Sequence, residues 1–208
     1  MLSLRRHRGV SLIEGLVALV IGGILLAMAL PSFSAWITGT RIRATTEGLL
    51  AGLQLAKSEA TTRNTQVRFQ LTTSLDATCR RTTTSANWVV DVVDANAAAD
   101  SVEGQCNAAP SDTVAPSILQ LRAATETGSG ALVNAGADQI IFNGLGRQAP
   151  VVVGGATNAV TIDVTPITAS GRCLSAGGKI TCLRIVVSPA GQVRMCNPSA
   201  ATGDQQAC

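Results

Sequence analysis

Few residues of this chain are equipped for chemistry, and those few stand far apart. The one histidine, His7, sits among arginines at the N-terminus, so Ser-His-Asp and Cys-His arrangements have no base in the body of the chain. Asp94, Asp100 and Glu103 share a loop but lack the ligand spacing of an EF-hand, and read as solvating charges. Cysteines stand at 79, 106, 173, 182, 196 and 208, with no C-x-x-C pair and no histidine near them. That pattern opposes a zinc site and favours disulfides formed in an oxidising compartment such as the periplasm. Spacing does not choose among the pairings, and the local set 79–106, 173–182 and 196–208 is the expectation. No enzyme activity, cofactor or metal is indicated. One acid is chemically out of place: Glu14 opens a stretch without any charged side chain that lasts until Arg41. An acid inside so apolar a segment is a functional hypothesis by default.

The element that must carry Glu14 is a helix. Residues 10–30 are almost wholly apolar and, at about 1.5 Å per residue, reach roughly 31 Å, the hydrocarbon thickness of a bilayer. Arg5, Arg6 and Arg8 precede the run and hold the N-terminus in the cytoplasm. A secretory signal ending at Ala27-Met28-Ala29 and a plain membrane anchor are the competing readings; a glutamate inside the apolar run speaks against both. Past the run, Ile42, Thr46, Leu49, Leu53, Ala56 and Ala60 recur every three or four residues. They form one apolar stripe on a helix continuing to about residue 62. Gly22, Gly23, Gly48 and Gly52 weaken this helix or permit close helix contacts. Pro31 predicts a kink or a locally melted turn.

Residues 1–14 and 31 resemble the type IV pilin and pseudopilin superfamily: a basic leader, Gly9, an acid five residues later at Glu14, and a proline at position 22 of the chain that starts with Val10. The resemblance implies cleavage after Gly9 by the prepilin peptidase and N-methylation of Val10. It also implies that Glu14 acts in assembly and that the Pro31 region adapts the helix to a filament. The physics agrees, because a new amine at Val10 is a cation among apolar helices, and Glu14 of an adjoining subunit neutralises it at one axial offset. Ala56-Lys57-Ser58-Glu59-Ala60, Arg63-Asn64 and the Ile141–Arg147 strand-turn are similar to the GspH/FimT/FimU branch.

The 208 residues are 46% hydrophobic, partly because of the apolar run, and the rest suffices for one compact domain. Lys and Arg total 16 against 13 acids, so removal of the three leader arginines balances the charge and gives no support to a broad nucleic-acid surface. Alternating or apolar runs at Val67–Leu71, Trp88–Val93, Ile118–Leu121, Gln139–Phe142, Val160–Val164, Ile180–Val187 and Gln192–Cys196 read as strands. Ala95–Pro116 and Thr125–Ala137 read as surface loops. The expected fold is α+β, a long N-terminal helix packed on antiparallel sheet. Its divisions are a leader (1–9), a membrane or filament-core helix (10–31), an amphipathic continuation (32–62) and a β-rich periplasmic domain (63–208).

The last hairpin, Ile185–Cys196, resembles the closing hairpin of FimT/FimU-like minor pilins. In DNA-binding FimT members its turn carries G-R-x-R; here Gly191-Gln192-Val193-Arg194 keeps one arginine, with Arg184 and Arg172 as further candidates. The resemblance implies a minor pilin in the inner membrane, moving from there into a pilus and helping to initiate or cap it at the tip. Its partners would be other minor and major pilins and the prepilin peptidase. A FimT-like DNA-binding pilin for transformation and a GspH-like minor pseudopilin of type II secretion are the alternatives.

Overall fold

A computed structural model of the chain describes residues 11–93, 102–127, 130–152, 154–167 and 171–208, with the side chains of 28–32 left out. The leader, Gly9, Val10, Asp94 and Asp100 lie outside the described residues. Among the described residues one α-helix, α1 (Leu12–Arg63), precedes nine strands. It starts behind Ser11, which makes no side-chain cap, and stops at Asn64 in the left-handed conformation (φ 49°). The Asn64 N–H there closes onto the carbonyls of Ala60 and Thr61, a left-handed cap of the kind asparagine tolerates. Of the two expectations at Pro31, a kink or a melted turn, the melted turn is not found: α1 is unbroken through that position. Among the described residues no helix is long and apolar enough to cross a membrane.

The strands form two antiparallel sheets. In the first, β1 (Val67–Thr72) lies between β2 (Asn87–Val92) and β5 (Gln139–Phe142), with β3 (Ile118–Arg122) and β6 (Gln148–Ala149) at the edges. The second runs in the order β4 (Ala131–Ala135), β7 (Val160–Pro166), β8 (Leu183–Val187) and β9 (Val193–Cys196). Both turn their apolar faces to α1. All six residues of the helical stripe are buried, in one core with Phe69, Leu71 and Trp88 from the first sheet and Ile162, Val164 and Ile185 from the second. Gly52 sets the approach of helix to sheet: a Cβ there would lie 2.8 Å from the Phe69 ring and 3.0 Å from that of Trp88. Close packing on these rings, which lie 5.8 Å apart, explains this glycine.

Two expectations need correction. The Thr125–Ala137 loop contains β4, which alternates Val133 and Ala135 inward with Leu132 and Asn134 outward; its glycine- and alanine-rich flanks hide a period of two. The strand expected from Ile180 begins at Leu183 instead, because Cys182 closes a loop with Cys173.

The outer face of the first sheet is covered as well. A small second core of Val89, Val102 and Ile118 forms around the disulfide of Cys79 and Cys106. Beneath it Arg68 and Asp91, cross-strand neighbours, make a two-pronged ion pair, and Gln70 donates to Asp91 at 2.8 Å. Glu103 does more than solvate the loop. It accepts hydrogen bonds from the Arg81 amide (2.9 Å) and guanidinium (3.3 Å), and the amide bond is the main reason its carboxyl lies below the ordinary glutamate range.

Candidate functional site

Two regions could act on other molecules: the free half of α1 and the C-terminal hairpin. Ten large apolar side chains between Leu12 and Leu26 are exposed, and Glu14 is exposed among them. Among the described residues nothing covers this segment. A continuous apolar surface of several turns far exceeds what a monomer ordinarily leaves in water, and the acid has no cation beside it among the described residues.

The hairpin residues are placed by their fold. Gly191 sits at φ 80° in the Ser188–Gly191 turn, where its N–H reaches the Ser188 carbonyl at 2.8 Å. A Cβ on it would collide with the Gly146 carbonyl in the β5–β6 turn. The two turns are further tied by the Gln148 N–H donating to the Pro189 carbonyl at 3.2 Å. This glycine therefore joins the two sheets, a reason for its presence independent of any ligand.

The three candidate arginines are not gathered into one free basic cluster. Arg184 pairs across the strands with Asp163, its Nε at 2.6 Å and Nη2 at 3.0 Å from the two carboxylate oxygens, and those hydrogen bonds raise its pKa. Arg194 lies diagonally across from it on the outer face of the second sheet. Its guanidinium donates to the main-chain oxygens of Ala207 (3.3 Å) and Cys208 (3.1 Å), holding the tail that the Cys196–Cys208 disulfide closes. Arg172 is exposed, immediately before the loop that the Cys173–Cys182 disulfide closes. All three disulfides join the local partners expected from the sequence.

Sequence reasoning did not single out the groove between α1 and the two C-terminal disulfide loops, lined by Trp36, Arg43, Lys179 and Met195 among others. Its signal was Phe33 and Trp36 followed by Arg41 and Arg43 at the close of the apolar run.

Comparisons with known proteins bear on both regions. Residues 4–30 match the prokaryotic N-terminal methylation motif, and residues 45–202 match the family described as type II transport protein GspH. Two crystal structures of the Pseudomonas aeruginosa type IV minor pilin FimU are similar. One has 17% identity over 78% of this chain and 93% of FimU, with a TM-score of 0.48. The other has 18% identity over 78% and 97%, with a TM-score of 0.42. No curated protein matches.

Proposed function

This chain belongs to the GspH family of pilin-like proteins, and we propose that it is a minor type IV pilin that helps to initiate and cap a filament at its tip. The family and the methylation motif imply a chain anchored in the inner membrane, processed by the prepilin peptidase and assembled with other pilins or pseudopilins. The observation that carries the reading is the uncovered apolar half of α1 with Glu14 near its start. In the membrane, lipid covers that surface; in a filament, the helices of neighbouring subunits do. The amine created at Val10 by cleavage after Gly9 supplies the charge that Glu14 lacks, and pairing offsets the desolvation of both groups.

The test is piliation. Deletion of the gene should remove sheared surface filaments, measured as major pilin, and the intact gene should restore them. Glu14→Ala should be cleaved normally, as read by N-terminal sequencing, yet fail to restore piliation. Full restoration by that variant would overturn the pairing role.

A second reading, a minor pseudopilin of type II secretion, is favoured by the function in the family's description. Unchanged piliation with loss of exported enzymes from the medium would select it. DNA binding has weaker support, since Arg184 is neutralised by Asp163 and Arg194 holds the C-terminal tail.

A further inference from the structure

The sequence of α1 repeats one charge arrangement. Glu14 stands four residues after Val10, whose amine, once freed by cleavage, is the cation proposed for Glu14; Glu47 stands four residues after Arg43. The two acids are 33 residues apart, nine helical turns and about 60°, so on a straight helix they share one side. Arg43 and Glu47 meet at 3.1 Å within the chain, but with side chains 67% and 56% exposed the pair is weakly held and exchanges partners at little cost. Arg43 also lines a groove of about 540 Å³ between α1 and the C-terminal loops. Lys179 is the other charged residue of that lining, no acid is among it, and Ile180, Leu183 and Met195 make it partly apolar. Phe33, Trp36, Thr40 and Arg43, all exposed, follow at spacings of three and four, so the uncovered side of α1 runs into the groove.

Pairing of the Val10 amine with Glu14 of an adjoining subunit staggers two parallel helices by four residues, about 6 Å. At that stagger, Arg43 of the subunit giving the amine is level with residue 47 of the subunit giving the acid. In a second copy of this chain that residue is Glu47, flanked on its exposed face by Ala44 and Ala51, whose small side chains let a helix approach closely. We propose that α1 of a second copy lies along this face, with its Glu47 at the mouth of the groove between Arg43 and Lys179. The inference rests on the reading that Glu14 pairs with the Val10 amine of an adjoining subunit, and it adds the identity of that subunit. A cation-lined groove without an acid of its own receives the acid that the stagger brings to it. Two copies so joined make the first staggered step of a filament, which is what initiation at a tip requires.

Cysteine cross-linking in the membrane tests this, since the six native cysteines are already paired. Two full-length copies with different tags are co-expressed, one carrying Thr40→Cys and the other Ala44→Cys, exposed positions with the same stagger as Arg43 and Glu47. Facing residues of helices about 8–10 Å apart bring their Cα atoms within roughly 6 Å, inside disulfide range. Equal residues, offset by about 6 Å more along the axis, fall outside it. Oxidation should therefore give the mixed dimer at several times the yield of either cysteine expressed alone. Arg43→Glu in the Thr40→Cys copy should lower that yield about two- to fivefold, and Glu47→Arg in the Ala44→Cys copy should restore it. Absence of the mixed dimer, equal yields from matched and unmatched cysteines, or a yield that ignores charge reversal each overturns the proposal. The Glu14→Ala variant separates the two readings. If it fails to restore piliation while copies with Glu14 intact give no mixed dimer, the second copy alone is overturned. If it restores piliation fully, the stagger falls and the contact with it.

Discussion

Asp91 carries a charge with no exposed surface, and Arg68, its partner, keeps only 11% of its side chain in solvent. Such a pair contributes little net stability over an apolar substitute, yet loss of the buried Asp91 carboxylate takes an acceptor from both Arg68 and Gln70. Asp91→Ala should therefore cost about 3–5 kcal/mol in denaturant unfolding, far more than a typical surface substitution. Arg184 and Asp163 are partly exposed and geometrically similar, and breaking them should cost much less because water solvates the survivor. Glu103 adds a dependence on pH. Its folded-state pKa is lowered, so its stabilisation is present above the unfolded value and is lost as pH falls through the folded one. Glu103→Gln should flatten that part of the acid unfolding curve, read as the unfolding midpoint between neutral and strongly acidic pH.

At the scale of the element, α1 is two helices in one. Its first turns expose large apolar side chains with Glu14 among them, whereas residues 42–60 bury one face on the sheets. Gly52 separates intrinsic propensity from packing. Alanine favours a helix over glycine by about 1 kcal/mol, but overfilling a packed core costs roughly 1–3 kcal/mol. The Phe69 and Trp88 rings leave no room, so Gly52→Ala should destabilise the protein. Gly39→Ala meets nothing within 4 Å and should stabilise it. Opposite shifts of the two unfolding midpoints would establish that Gly52 is set by the sheet.

For the molecule as a whole, both sheets share one core with α1, and the Gly191 and Gly146 turns fasten them at one end. Helix, sheets and Trp88 should then unfold in one transition, with far-ultraviolet dichroism and Trp88 fluorescence coinciding in a Trp36→Phe background. Separate midpoints would mean that the sheets are independent units. What the sequence determined by itself was whatever neighbouring residues encode: the helical stripe from its spacing of three and four, and most strands from their apolar or alternating runs. Glu14 stood out because an acid in an apolar run is costly wherever the chain goes, whereas the pairing of the six cysteines, which spacing left open, was decided by the fold. What tertiary structure decided depends on residues distant in sequence. The division of strands between two sheets, β4 among its glycines, and the neutralisation of Arg184 by Asp163 are of that kind. So are the collision that demands glycine at 191 and the groove that joins residues 35–43 to 179–206. No local pattern specifies these, because burial and charge are set by what the folded chain brings into contact.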